Sequence, residues 1–237
     1  MNLVFDQGNT LTKFAVFDND EIIKSGSFAE LDDETARALP RDVDNVIVSS
    51  VGCRDKIEGL ANLYPGLVLL DSKTPLPIGN LYDTPNTLGV DRLAVCVGAN
   101  SICPNKNLLV VDMGTCITYD FVNSDNNFVG GNIAPGLDMR LKALNHYTAS
   151  LPLVEKSEIV NDIGKSTQQA ILAGVVKGIE FELQGYASFL TAKYGDVSIF
   201  LTGGNSSFFE KRLKFTIFAN RNLLMIGLNR ILNFLNA

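Results

Sequence analysis

The chain is poor in the residues that soft-metal and redox chemistry require. It holds one histidine, His146, and four cysteines, Cys53, Cys96, Cys103 and Cys116, with no Cys-x-x-Cys pair. A structural zinc site takes about four grouped Cys or His ligands, so zinc is excluded, and the thiols read as free in a reducing compartment. A basic stripe is missing too. The 20 Lys and Arg are dispersed among 26 Asp and Glu, for a net charge of −6 and a pI near 4.8. Non-specific attraction to nucleic acid is thereby excluded. An anionic ligand must be held locally, by backbone N–H groups, a few cations and a metal ion. No apolar run reaches the ~18–20 residues of a membrane span; the stretch 170–179 is interrupted by Lys177. Asp6 breaks the first apolar run and no basic segment precedes it, so no leader is expected. The expectation is a cytoplasmic protein with no membrane and no nucleic-acid partner. There is no low-complexity tract.

Apolar residues are plentiful, at 46 % against 19 % charged, enough for one large domain or two of about 110 residues. A repeat favours two, divided as 1–106 and 107–237. Asn2-Leu3-Val4-Phe5-Asp6-Gln7-Gly8-Asn9-Thr10 is matched about a hundred residues later by Asn107-Leu108-Leu109-Val110-Val111-Asp112-Met113-Gly114-Thr115. Each is an apolar run ending in Asp, then Gly, then Thr. Each is followed by two further runs, leading to Gly26 or to Gly130-Gly131. The pattern predicts an antiparallel three-strand meander in each half, over 2–28 and 108–133, with the first polar turn at Asp18-Asn19-Asp20. After the first meander, residues 31–39 read as a short helix and 43–49 as a strand buried on both faces. Apolar Ile57, Leu60, Ala61 and Tyr64 mark a helix over 54–64, and 67–70 reads as a short buried strand. Residues 71–90, with Pro75, Pro77 and Pro85, form a long loop of the kind that carries function. A helix follows over 91–101. In the second half, helices are expected over 137–144, 166–194 and 223–234, and a strand over 197–202. The longest helix would bury Ala170, Leu172, Ala173, Val176, Ile179 and Leu183. Its apolar residues cover more than one face, which fits either a central core helix or a subunit contact.

The turn Asp6-Gln7-Gly8-Asn9-Thr10, with Lys13 beyond it, can bind phosphate. Gly8 allows a close backbone turn; its N–H groups, with Asn9, Thr10 and Lys13, can donate to phosphate oxygens. Asp6 is suited to a divalent cation, directly or through water. One such turn alone is most simply an ordinary hairpin; the second copy shifts the balance. There Asp112 would hold a cation and Thr115 would meet the far phosphates, with no lysine at the position matching Lys13. Two Asp-x-Gly turns facing each other could hold a polyphosphate and its metal. Thr202-Gly203-Gly204-Asn205, after an apolar strand, can let a nucleotide's sugar and base approach the backbone, or is a plain turn. Gly89-Val90-Asp91-Arg92 pairs a carboxylate with a guanidinium at a helix start. That is either a surface ion pair or a substrate site, in which Arg forks onto a carboxylate and Asp orients or deprotonates a hydroxyl. His146 is not expected near the phosphates, and Phe208-Phe209 read as packing.

The duplicated turns resemble the actin-like ATPase architecture. The full set is similar to the type III pantothenate kinases: Asp6-x-Gly8-Asn9-Thr10, Lys13, Tyr82, Gly89-Val90-Asp91-Arg92, Asp112-x-Gly114-Thr115, Gly130–Gly136 and Thr202-Gly203-Gly204. The resemblance runs along nearly the whole chain, which is short for that family between Asp125 and Phe128 and near Tyr194. It implies an α/β fold of two duplicated actin-like (ribonuclease H-like) domains. Each would be a mixed sheet with an N-terminal antiparallel meander flanked by helices. It further implies ATP-dependent phosphorylation of the primary hydroxyl of pantothenate, the first step of coenzyme A biosynthesis. ATP would be held by Asp6, Gln7, Gly8, Asn9, Thr10, Leu11, Thr12, Lys13 and Thr115. Pantothenate would be held by Tyr82, Gly89, Val90, Asp91, Arg92 and Thr167, with Asp91 as proton acceptor. Mg2+ would serve at Asp6 and a monovalent cation, K+ or NH4+, at Asp112, in a homodimer. The alternatives are another actin-like small-molecule kinase, of sugar type, or a non-catalytic regulator on the same fold.

Overall fold

The first turn sits where the repeat places it, between two paired strands. The structure, a computed structural model, describes residues 1–8, 11–50 and 54–237, with 54–56 known by backbone only. Asn9 and Thr10 of the first turn, and Cys53, lie outside the described residues. The chain forms two compact units, one of residues 1–105, 124–129 and 222–237, the other of 106–123 and 130–221.

In the first unit, β1 (Asn2–Gln7), β2 (Thr12–Asp18) and β3 (Glu21–Phe28) form the expected meander. Asn19 takes φ 53° at its second turn, a conformation that Asn tolerates better than most residues. After α1 (Asp33–Ala38), whose N-cap Asp32 accepts from the Thr35 N–H, β4 (Asn45–Ser50) runs parallel to β1. Then come α2 (Arg54–Leu63) and β5 (Val68–Leu69), giving the sheet order β3-β2-β1-β4-β5. Strand alternation sends Leu3, Phe5, Val46 and Val48 to one face, where they pack beneath Leu60 and Tyr64. The Phe5 and Tyr64 rings lie 5.9 Å apart. One expectation fails here: β5 is an edge strand, not a buried one. Leu69 is 46 % exposed and only Leu70 turns inward, because no strand lies outside it to cover that side.

The loop of 71–90 holds β6 (Gly79–Asn80) and a single 3-10 turn at Pro85–Thr87 before α3 (Val90–Ile102) begins. The second meander follows with β7 (Asn107–Met113), β8 (Cys116–Val122) and β9 (Asn127–Pro135). β7 and β8 pair antiparallel and β9 lies on the other side of β8. The start of β9 also pairs with β6. The second unit continues with α4 (Leu137–His146), α5 (Thr167–Tyr194), β10 (Val197–Thr202), α6 (Ser206–Glu210) and β11 (Phe218–Ala219). β10 runs parallel to β7, in register Thr202↔Asp112 at its end. The buried side of α5 starts at Ile171; Ala170, expected inside, is exposed in the first turn. Phe208 and Phe209 are buried on α6 as a perpendicular pair, so packing is their role.

The chain ends with α7 (Leu223–Leu235), which belongs to the first unit and packs on α3 and β1. The two helices cross at glycines. A Cβ on Gly98 would lie 2.2 Å from the Leu223 carbonyl oxygen, and one on Gly227 1.7 Å from that of Ala94. An asparagine network ties α7 to the start of β1: Asn2 Nδ2 donates to Asn229 (2.8 Å) and Asn233 (2.6 Å), and Asn229 donates to the Asn19 carbonyl. Among the described residues no helix is long and apolar enough to cross a membrane.

Candidate active site

In the first unit the site grows from the ends of β1 and β2. Gly8 N–H donates to the Leu11 carbonyl (3.1 Å) and closes the turn, while Leu11 is exposed. Asp6 is opposite Lys13 in register, and Gln7 opposite Thr12. Alternation therefore separates the residues by face. Gln7 and Thr12 are buried, and Ser50 Oγ donates to Gln7 Oε1 at 2.8 Å. Asp6 and Lys13 share the other face. Burial raises the Asp6 carboxyl above its ordinary value; Lys13 opposes the rise and the charge of Asp91 adds to it. Asp6, Lys13 and Asp91 thus belong to one electrostatic neighbourhood.

Asp91 is held by the first turn of α3. Gly89 is the N-cap, and a Cβ there would come within 2.5 Å of Asp91 Oδ1. That oxygen accepts from the Arg92 N–H at 2.9 Å, which fixes the side chain at the helix start. Arg92 is 8 % exposed and its guanidinium lies 5.9 Å from the Phe128 ring centroid. The Tyr82 ring meets the same Phe128 edge-on at 6.0 Å. Tyr82 and Arg92 therefore gather around a third residue that no motif marks.

The second unit builds a tighter turn. Gly203 has φ +87°, and a Cβ on it would lie 2.4 Å from Asp112 Oδ1 and 2.6 Å from the Met113 nitrogen. No other residue fits, so the end of β10 presses backbone against Asp112. Gly136 N–H donates to the Thr115 carbonyl (3.0 Å), where a Cβ would again clash, at 2.4 Å. The 130–136 run thus braces the second Asp-Gly-Thr turn from the side. A cavity of about 680 Å³ opens here, lined by Gly114, Thr115, Gly204, Asn205 and one face of α4 with Asp138, Lys142 and His146. Spacings of four residues set those three side chains on one helix face. α4, whose start at Gly136 is anchored to Thr115, thus carries His146 to the wall of the cavity that Gly114 and Thr115 also line. Lys142 lines this cavity, and Lys156 Nζ donates to Asn205 Oδ1 at 3.1 Å. Thr167 is exposed at the start of α5, on a different and apolar groove with Arg140, Leu144 and Leu151. Among the described residues no three His, Cys, Asp or Glu gather for a metal.

These arrangements suit a nucleotide-dependent enzyme, and comparison with known proteins decides which. The sequence profile of the type III pantothenate kinase family matches residues 2–188. A type III pantothenate kinase of Bacteroides fragilis is 48 % identical over 241 residues, spanning 100 % of this chain and 99 % of the relative. The chain belongs to the type III pantothenate kinases. Its fold has relatives of known structure. A Campylobacter jejuni protein, described as a candidate Baf family transcriptional activator, superposes with TM-score 0.66 at 20 % identity, over 99 % of this chain and 98 % of that one. A candidate N-acetylmannosamine kinase from Listeria monocytogenes gives 0.58 at 12 % identity, over 100 % and 99 %. At such identities the likeness speaks for the fold alone, and it agrees with the two duplicated actin-like domains. In this chain Phe128, Lys142 and His146 stand beside residues that motifs mark. Only Phe128 carried a local signal, as an aromatic on the third strand of a meander.

Proposed function

We propose that the protein transfers the γ-phosphoryl group of ATP to the primary hydroxyl of pantothenate, giving 4′-phosphopantothenate for coenzyme A synthesis. The observation that carries this reading is the Gly89-Val90-Asp91-Arg92 element, fixed at the start of α3 with Tyr82 gathered beside it through Phe128. Arg92 and Tyr82, with Gly89 and Val90, bind pantothenate, the guanidinium taking its carboxylate; Thr167, which stands on a groove of the other unit, is proposed as a pantothenate contact on the family resemblance alone. ATP phosphates are bound by the stretch Asp6, Gln7, Gly8, Asn9, Thr10, Leu11, Thr12, Lys13 and by Thr115. The hydroxyl oxygen forms its bond to phosphorus as the bond to the β,γ-bridging oxygen breaks, and Asp91 accepts the hydroxyl proton. Phosphoryl transfer passes through a loose transition state, so proton removal comes late and Asp91 contributes largely by orienting the nucleophile.

A buried carboxylate whose charge is disfavoured, as at Asp6, fits a hard cation. Magnesium binds through one or two carboxylates, substrate phosphates and retained waters, and Asp6 would be such a carboxylate. Magnesium at Asp6 and a monovalent cation, K+ or NH4+, at Asp112 would neutralise charge on the phosphates. The domains of the duplication are taken as 1–106 and 107–237, and the protein as a cytoplasmic homodimer. Phe181 and Phe189 on α5, 68 % and 60 % exposed, suit a face covered by a second copy.

Purified protein with ATP and Mg2+ should release ADP with pantothenate, and not with hexoses or N-acetylhexosamines. Its rate should fall when K+ is replaced by Na+. Turnover of a sugar with none of pantothenate would assign it to the sugar-type kinases. No turnover of any acceptor would make it a regulator.

A further inference from the structure

Ser49, on β4, is a residue that no motif singles out. It is 1 % exposed, and its Oγ has no hydrogen-bond partner among the described residues. A buried hydroxyl left without a partner is costly, and native proteins rarely keep one unless a water or ion completes it. The register shows where it points. Ser49 is opposite Asp6 across the parallel β1–β4 pair, and Lys13 is opposite Asp6 across the antiparallel β1–β2 pair. Partners in register project from the same face of a sheet, so Ser49 and Lys13 flank Asp6 on one surface. The charge of Asp91 is felt there as well.

Two carboxylates and a neutral hydroxyl, with no thiol or imidazole, are hard oxygen donors. Lys13 on this face can meet a phosphate oxygen, and the Asp6 carboxylate with the Ser49 hydroxyl offers hard oxygen atoms to a divalent cation and its waters. Magnesium keeps several of its waters, and a metal-bound water is a strong donor to a nearby hydroxyl oxygen. We infer that Ser49 is a positioning residue for phosphoryl transfer, its Oγ accepting a hydrogen bond from a water of the divalent cation beside Asp6. The inference rests on the reading of Asp6 as the carboxylate for that cation, and it adds a residue from a third strand to that corner.

Mn2+, titrated into the nucleotide-free full chain and followed by electron paramagnetic resonance, tests this apart from turnover. Ser49→Ala should weaken Mn2+ binding about 10-fold, the usual effect of losing an outer-shell partner, and raise the Mg2+ half-saturation of the kinase reaction by a similar factor. Its KM for ATP at saturating Mg2+ should not change. Without metal, its melting temperature should be equal to or above that of the wild type, since an unpaired buried hydroxyl is removed. Ser49→Thr, which keeps the oxygen, should bind Mn2+ like the wild type. Should the alanine variant not fold, Ser49→Cys, of similar volume and without a hard oxygen, replaces it with the same expectations. Unaltered Mn2+ affinity in the alanine or cysteine variant, or an equal loss in the threonine variant, would overturn the proposal. If wild-type protein fails to phosphorylate pantothenate while Ser49→Ala still weakens Mn2+ binding, the functional reading falls and the place of Ser49 beside the cation stands.

Discussion

Asp91 and Asp6 face the same neighbourhood but are held in opposite ways. Asp91 is fixed at a helix start by a backbone N–H, and Gly89 leaves it room. Asp91→Asn keeps size and shape but cannot accept the proton. Turnover should drop about 10²–10⁴-fold with the KM for ATP nearly unchanged; steady-state kinetics with each substrate varied would show this, and near-normal turnover would remove Asp91 from its role. Asp6 is strained by its surroundings, since burial and Asp91 hold its carboxyl above the ordinary value despite Lys13. An acid whose folded value exceeds its unfolded value costs stability at pH above both, and the cost vanishes as pH falls below the unfolded value. Asp6→Asn should therefore raise the melting temperature of the protein free of metal and nucleotide at pH 7. Below the ordinary aspartate range the two proteins should melt together. Scanning calorimetry at both pH values checks this, and a lower melting temperature for the variant at pH 7 would contradict it.

The helices α4 and α5 are joined by a polar clasp. Arg140 on α4 forks onto Glu182 of α5 with two 2.7 Å bonds, and its Nε donates to the Pro135 carbonyl just before Gly136. Tyr119 on β8 donates to the same carboxylate at 3.1 Å. Burial and the Glu182 charge raise the Tyr119 phenol, while the Arg140 bonds lower the Glu182 carboxyl. A depressed carboxyl stabilises fully above its unfolded value and loses that effect as pH falls through its folded value. Glu182→Gln should thus cost about 1 kcal/mol at pH 7, a modest figure because the pair is partly exposed. The difference should shrink towards zero in acid below the ordinary glutamate range. Urea unfolding at the two pH values measures it, and a deficit independent of pH would rule the clasp out as an ionic one. None of this was visible in the chain, because Arg140 and Glu182 are 42 residues apart. The strands and turns were visible, since alternation with period two and the Asp-Gly turns are local signals. The edge position of β5 was not, because apolar character alone does not say whether a strand has a neighbour on both sides.

For the molecule as a whole, the repeat in the sequence was enough to give the pair of meanders and the mixed sheets. It was not enough to give the packing of α7 on α3, which depends on Gly98 and Gly227 meeting across 129 positions of chain. Of the candidate site, the turns themselves were legible, because Asp and Gly at the ends of two matched apolar runs form a local and repeated signal. Phe128, Lys142, His146 and Ser49 were missed, because a register or a helix face carries each into place. Family membership and these placements together assign a kinase of pantothenate, and the position of the new phosphate is the direct test. Protein, ATP, Mg2+, K+ and pantothenate should yield one ester whose proton-coupled ³¹P NMR signal is a triplet, from the two hydrogens of a primary CH2–O–P. A doublet from a secondary alcohol, or free phosphate with no ester, would contradict the account.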